Sequence, residues 1–350
     1  MSIKEVAKRA RVSTATVSRT LNDSADVRPE TAARVRKAIE ELKYYPNTHA
    51  RTLVSGRSRM FGLIISDITN PFFPDLVKGF EDAAVQRGQE VIIGNTNYNP
   101  KRMAHCIRRM LERKVDGVAI MTSETDPDLF AELVKRKVPT VLLDTGTAGD
   151  ASAVIHIDYA HGIGEAVEHL LALRHRRIAF IAGPMKLPSA QIRQEAFVAG
   201  IESHGMKLDP ALLQSSDHKI EGGAAAMTRL LKLADRPTAV MTSNDLSAIG
   251  ALGAIYEAGL RVPEDISLVG FDDISFAHLT QPPLTTVRVS RARLAETAFH
   301  ALEGLVQHNL MQHNLAQRNL SQQNAGSPDA PQLDYSITTH LVIRNSTRAL

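Results

Sequence analysis

A single cysteine, Cys106, stands in 350 residues, so the chain can form neither an intramolecular disulfide framework nor a cysteine-based zinc site. Its helix-patterned surroundings make it a core residue rather than a reactive thiol. No apolar run approaches the length of a membrane span. The opening "MSIKEVAKRA" places Lys4, Glu5 and Lys8 where a secretion signal needs apolar residues, which predicts a cytoplasmic chain with no membrane partner. There is no phosphate-binding loop motif, no G-x-S-x-G elbow and no H-E-x-x-H. The thirteen histidines show no metal-ligand spacing, and neither a metal nor a cofactor is expected. "GIGEAV" at Gly162–Val167 imitates half of a dinucleotide fingerprint but lacks the third glycine. Falling inside a helical pattern, it reads as helix packing.

What is present fits a folded globular chain of two or three domains, 43% hydrophobic and 23% charged. The net charge of +3 hides an asymmetry. Residues 1–59 hold 13 Lys/Arg against 6 Asp/Glu, a balance of +7, and the rest of the chain carries −4. A basic head on a mildly acidic body points to a polyanion at one end.

Ser2-Ile3-Lys4-Glu5 is a capping box, and the helix it opens lines up Ile3, Val6, Ala7 and Ala10. Ser13 can cap a second helix, in which Val17 and Leu21 face the first. Pro29 suits the first position of a third helix, with a stripe of Ala32, Val35, Ile39 and Leu42. Three short helices with a tight turn between the first two form a helix-turn-helix unit.

The second helix, "VSTATVSRTLN" from Val12 to Asn22, is a poor helix former, rich in hydroxyls and β-branched residues. Small side chains at the tip of a recognition helix allow close approach to DNA. Thr14, Thr16 and Ser18 can bond phosphates or base edges, Ala15 can touch a thymine methyl, and Arg19 can fork onto guanine or bond a phosphate. Ser13 and Asn22 complete this candidate set. Beyond Pro46, "NTHARTLVSGRSR" reads as a cationic linker that orders on contact with a partner.

From Phe61 onward, β-rich runs alternate with amphipathic stretches: "FGLIIS", "EVIIGN", "DGVAIM", "PTVLLD", "AVIHI", "RIAFIAG", "PTAVMTS" and "ISLVGFD". This is the pattern of buried parallel strands in βαβ units, arranged as two lobes around a cleft. Such sheets bind ligands beyond the carboxyl ends of their strands. The polar and aromatic residues there are Asp67, Asn70, Phe72, Phe73, Asp158, Arg193, Asn244 and Asp272. Together they suit a polyhydroxylated ligand, polar groups for its hydroxyls and rings for its C–H faces. Asp158 and Asn244 could equally cap the helices that follow them, and Arg193 could serve packing alone. Near the end, "QHNLMQHNLAQRNLSQQNAGSPDAP" repeats with a period of five, which matches neither helix nor strand. It reads as a mobile surface insertion over 307–331.

The stretches "IKEVAKRARVSTATVSRTLN", "VRPETAARVRKAIEELKYYPNTHARTL" and "FGLIISDITNPFF" resemble the LacI/GalR family of bacterial transcription regulators, and the likeness runs over nearly the whole chain. The resemblance implies an N-terminal all-α helix-turn-helix head plus an α/β body of two doubly wound parallel-sheet lobes of the periplasmic-binding-protein type. It divides the chain into a DNA-binding domain at 1–46, a hinge helix and linker at 47–59, and an effector-binding and dimerisation domain at 60–350. Lobe 1 is expected over about 60–158 and 288–310, and lobe 2 over about 159–287 and 333–350. Positions matching Thr14, Ala15 and Arg19 face operator bases in the family. The segment matching Asn47–Val54 forms the hinge, which adds Asn47, His49, Ala50, Arg51 and a minor-groove wedge, Leu53, to the DNA candidates. Positions matching Phe72, Asp158, Arg193, Asn244 and Asp272 line the effector cleft. Gln191 stands where relatives often carry an arginine or a hydroxyl, and His218 where some carry an aromatic ring; both join the candidates. The implied function is a non-enzymatic, ligand-responsive repressor that binds a palindromic double-stranded operator as a homodimer, with a tetramer left open. Its small-molecule effector would be a sugar or sugar derivative. A sugar-transport protein, against which the basic head and the missing signal peptide argue, and a doubly wound enzyme are the alternatives.

Overall fold

The computed structural model describes residues 2–21, 26–44, 57–124, 127–149, 151–318 and 332–350. The chain divides into two compact units, Met1–Ser58 and Arg59–Leu350.

The first unit contains α1 (Ile3–Ala10), α2 (Thr14–Leu21) and α3 (Pro29–Glu41). The Glu5 carboxylate accepts from the Ser2 backbone N–H at 2.6 Å, the reach-back of the capping box. Arg11 ends α1 in the left-handed region, at φ 53°, and turns the chain into α2. Val6, Ala7, Ala10, Val17, Val35 and Ala38 form a small core, flanked by Ile3, Leu21, Ile39 and Leu42. Arg9 clamps α1 to α3 through Glu41 at 2.6–2.7 Å.

The second unit has two six-stranded sheets. The first is built from β1 (Met60–Ile65), β2 (Glu90–Asn95), β3 (Gly117–Met121), β4 (Thr140–Leu143), β5 (Ser152–Asp158) and β11 (Asp334–Thr338), in the order β11-β5-β4-β3-β1-β2. The second uses β6 (Ile178–Ala182), β7 (Leu213–Ser215), β8 (Ala239–Thr242), β9 (Ser267–Asp272), β10 (Thr285–Arg288) and β12 (His340–Val342), in the order β12-β10-β9-β8-β6-β7. Central strands such as β3, β8 and β9 are buried at every residue, as parallel strands covered by helices on both faces must be.

The helices that matter for the site are α4 (Phe72–Gln86), α5 (Pro100–Glu112) and α6 (Pro127–Lys135) in lobe 1, and α7 (Tyr159–Ala172), α8 (Pro188–Ser203), α9 (Ile220–Leu231) and α10 (Asp245–Glu257) in lobe 2. The long α11 (Arg291–Arg318) packs on α4 and the first sheet through Leu294, Ala298, Phe299, Leu302 and Leu305. Phe299 meets Phe61 and Phe80 with ring centroids 5.8 and 5.7 Å away. Truncating any of these three fully buried rings to alanine would cost about 3–5 kcal/mol.

Two features depart from the sequence reading. The segment 333–350, expected in lobe 2, is split between the lobes: β11 runs parallel to β5 in lobe 1, and only β12, antiparallel to β10, belongs to lobe 2. Without β11, the edge of β5 would present unpaired backbone groups. The five-residue repeat is also not wholly an insertion, because α11 continues through its first units to Arg318. A helix already anchored by Leu305 and Val306 extends at little cost, and Gln312 meets His308 one turn back at 2.7 Å. Residues 319–331 lie outside the described residues.

Among the described residues the chain passes between the lobes at Asp158–Tyr159, between β10 and α11, and at Thr339. Thr339 joins two of these passages: its hydroxyl accepts from Gly162 N at 3.0 Å and donates to the Asp158 carbonyl at 2.7 Å. A Cβ on Gly162 would stand 2.4 Å from Val287 and 2.5 Å from Thr339 Oγ1. The "GIGEAV" glycine therefore serves close packing of α7.

Candidate functional site

In the first unit the hydroxyls of α2 divide by task. Ser13 Oγ accepts from Thr16 N at 3.1 Å and lies 2.9 Å from Thr16 Oγ1, which caps the helix. Thr20 donates to the Thr16 carbonyl and is buried beside Val17. These bonds hold a helix that propensity alone would not. Thr14, Ala15 and Arg19 stand exposed, with Ala15 and Arg19 one turn apart on the same side, and Ser18 is half-buried. Asn22, Asn47, His49, Ala50, Arg51 and Leu53 lie outside the described residues.

In the second unit a cleft opens between the carboxyl ends of the two sheets. It holds about 530 Å³ of atom-free space, part of it continuous with solvent. Lobe 1 contributes Asn70, Phe72 and Phe73 from the start of α4, Tyr98 from the loop after β2, Thr122 and Ser123 after β3, and Asp144 after β4. Asn70 accepts from Phe72 N at 3.1 Å and so sets the entry to α4, whose two rings meet edge to face at 5.3 Å. Lobe 2 contributes Tyr159, Ser189, Arg193, His218, Asn244 and Asp272.

Arg193 is the centre of the lobe 2 wall. Its guanidinium lies between the rings of Tyr159, at 4.8 Å, and Phe271, at 4.3 Å. Nη1 donates to the Ser243 carbonyl at 2.6 Å, and Nη2 stands 4.0 Å from Asp272 Oδ1. An arginine carries five N–H donors, so donors remain for ligand oxygens. Asp272 adopts φ 112°, a conformation L-residues rarely take. Its surroundings enforce it: Arg291 donates to the carbonyls of Asp272 and Asp273, while Asp273 is gripped by Arg288 and Arg344, both at 2.6 Å. Burial pushes the Asp272 carboxyl up to about 6, against the pull of Arg193 and Arg291.

Burial and then Arg193 push His218 down to about 3, so the imidazole is neutral at pH 7. It pairs with Ser243 Oγ at 2.9 Å and faces the Tyr98 ring at 6.5 Å across the cleft. Asn244 takes two tasks, capping α10 through Ser247 N and donating to the His218 carbonyl. Tyr159 donates to Asp144 Oδ2 at 2.5 Å, and Asp144 also accepts from Ile157 N at 2.8 Å. Burial still pushes Asp144 above the usual carboxylate range.

Three expected residues are not among those lining the cleft: Asp67, which accepts from Thr69 N at 2.9 Å and from Thr69 Oγ1 at 2.7 Å, and Asp158 and Gln191. Asp158 caps α7 by accepting from His161 N at 3.1 Å. Gln191 is exposed and donates to the Met185 carbonyl at 2.6 Å; Ser189, two residues earlier, faces the cavity instead. Tyr98, Asp144, Tyr159, Ser123 and Ser189 were not singled out in the sequence. Asp144 ends the strand run "PTVLLD", so the strand-end rule could have found it.

Among the described residues, no helix is long and apolar enough to cross a membrane. The profile described as bacterial regulatory proteins, lacI family, matches residues 2–47, and that of a periplasmic binding protein-like domain matches 167–347. The ribose operon repressor of Escherichia coli strain K12 is 35% identical over 303 residues, 86% of this chain and 92% of that protein. The transcriptional repressor PurR of Aliivibrio salmonicida is 32% identical over 302 residues, 86% and 91% of the two chains. A solved lac repressor dimer bound to operator and an anti-inducer superposes with TM-score 0.84 at 28% identity, over 100% of this chain and 99% of that one. A regulator from Enterococcus faecium with bound ribose gives TM-score 0.68 at 28% identity, over 83% and 99%. The chain belongs to the lacI family of bacterial regulatory proteins.

Proposed function

We propose that this protein is a cytoplasmic, ligand-responsive repressor of a sugar or related catabolic operon, binding a palindromic operator as a dimer. In this reading α2 enters the major groove and presents Thr14, Ala15 and Arg19 to base edges, with Ser13, Thr16 and Ser18 toward phosphates. Asn22, Asn47, His49, Ala50 and Arg51 add backbone contacts, and Leu53 wedges the minor groove at the operator centre. The effector, a sugar or sugar derivative, sits between the lobes, with Arg193, Asp272 and Asn70 toward its hydroxyls and Phe72, Phe73 and Tyr98 against its C–H faces. Ribose is the first candidate, because a similar protein is named for the ribose operon and a similar structure holds ribose.

The observation that carries this reading is the guanidinium of Arg193, held between two rings beside a buried carboxylate in a two-lobed cleft, in a chain that begins with a basic three-helix unit. If the effector changes DNA affinity by some factor, DNA must change effector affinity by the same factor. The test is titration of the full chain with ribose and a panel of related sugars, followed by gel shift on palindromic duplex DNA at two ionic strengths. Saturable sugar binding without turnover, and DNA affinity that falls with salt and changes with the sugar, are expected. Indifference to duplex DNA at low salt overturns the proposal, and conversion of the sugar favours the enzyme alternative.

A further inference from the structure

Away from the cleft, lobe 2 carries a cluster of metal-ligating side chains beside two of the chain passages. His161 and Glu165 lie one turn apart near the start of α7, and His340 opens β12. His161 Nε2 is 3.1 Å from Glu165 Oε1, and His340 Nδ1 is 3.5 Å from the same oxygen. The three ligating atoms all lie within 4.8 Å of one another. The two imidazoles meet edge to face, with centroids 5.0 Å apart.

Zinc takes nitrogen and oxygen donors at about 2.0–2.1 Å in a tetrahedron, which sets neighbouring donors about 3.3–3.4 Å apart. Two of the donor pairs already match that spacing. The remaining edge, between the imidazoles, closes by rotation of rings that are 44% and 63% exposed. Glu165 is already oriented: its Oε2 accepts from Leu341 N at 2.6 Å, which turns Oε1 toward the two rings. Outer hydrogen bonds of this kind fix a ligating carboxylate before the ion arrives. The donor set is two imidazoles and one carboxylate, a combination suited to zinc or a neighbouring divalent transition metal. The spacing of histidines along the chain gave no sign of it, because the third donor arrives from a distant strand.

We propose that His161, Glu165 and His340 form a divalent transition-metal site with a fourth position open to solvent. An ion there fastens the first turns of α7 to β12 on either side of the Thr339 bridge, where two passages between the lobes run side by side. A metal bound only to the folded chain also raises its melting temperature.

The probes are Zn2+ in competition with a chromophoric chelator, and Co2+ read by its visible absorption, both on the full chain freed of metal. The expected result is one equivalent per chain, a tetrahedral Co2+ spectrum and a higher melting temperature. His161→Ala and His340→Ala should each weaken binding by roughly tenfold or more, comparable with or beyond the loss of an outer-sphere partner. His161→Gln and His340→Gln provide second variants, and circular dichroism checks that each remains folded. His308→Ala with His313→Ala, in the repeat, should leave affinity unchanged. Absence of stoichiometric Zn2+ binding overturns the proposal. So does binding that survives in the His161→Ala/His340→Ala double variant, or that disappears with the two repeat histidines.

Discussion

Ser123 Oγ and Ser189 Oγ lie 2.7 Å apart, both buried, and bridge the two lobes across the cleft. Ser123 follows the end of β3 in lobe 1, and Ser189 belongs to the first turn of α8 in lobe 2. Tyr98 and His218 face each other across the same cleft. The lobes are thus in contact through side chains that a separation of the lobes must part.

Loss of that bridge should loosen the closed arrangement. Ser123→Ala and Ser189→Ala are each expected to cost about 1 kcal/mol of the closed form, the net value of one hydrogen bond. Calorimetric titration with the effector should show a roughly fivefold loss in each single variant. The double variant should lose little more than either, because the two residues share one interaction. Additive losses would mean that the serines act separately.

Arg19→Ala should weaken binding to a palindromic site by about 1–3 kcal/mol per half-site and relax preference at one base pair. Sugar affinity should stay at the wild-type level, since Arg19 lies in the N-terminal unit. Footprinting and sugar titration of the same preparation check both halves of this expectation. An unchanged footprint would remove Arg19 from the recognition surface.

Asp272 and His218 should pull stability in opposite directions as pH falls. Asp272 has its folded value raised from 3.8 to about 6, so its contribution is full below 3.8 and is lost as pH rises through 6. His218 has its folded value lowered from 6.5 to about 3, so its contribution is full above 6.5 and is lost as pH falls toward 3. Between pH 4 and 6 the two nearly cancel, each with a slope of at most about 1.4 kcal/mol per pH unit. Relative to wild type, Asp272→Asn should lose stability on going from pH 7 to 4.5, and His218→Gln should gain it. Urea unfolding at the two pH values measures this, and parallel behaviour of the two variants would contradict it.

The two glycines of "GIGEAV" should respond oppositely to alanine. A Cβ at Gly162 collides with Val287 and Thr339, so Gly162→Ala should cost about 1–3 kcal/mol. A Cβ at Gly164 meets nothing within 4 Å, so Gly164→Ala should gain up to about 1 kcal/mol from helix propensity. Denaturant melts of the two variants suffice. Equal effects would place the packing argument in error.

Local patterns specify much of this protein. The capping box, Pro29 at the start of α3, and the β-rich runs are written in neighbouring residues, because capping and strand burial act over a few positions. Six of the cleft residues, Asn70, Phe72, Phe73, Arg193, Asn244 and Asp272, were legible because parallel sheets place their strand and loop ends together. His218 came only from the family resemblance. Asp158 illustrates the limit: a carboxylate at a strand end serves a helix cap or a ligand equally well, and only its direction decides.

The eight β-rich runs, the fold class and the basic head followed from the sequence alone, since hydrophobic period and charge are local properties of the chain. The pairing of Ser123 with Ser189, the stacking of Arg193 on Tyr159 and Phe271, the split of the last strand at Thr339 and the meeting of His340 with His161 came only with the tertiary structure. Each joins residues distant in the chain, and their approach depends on how whole sheets and helices pack, which no short window of residues encodes.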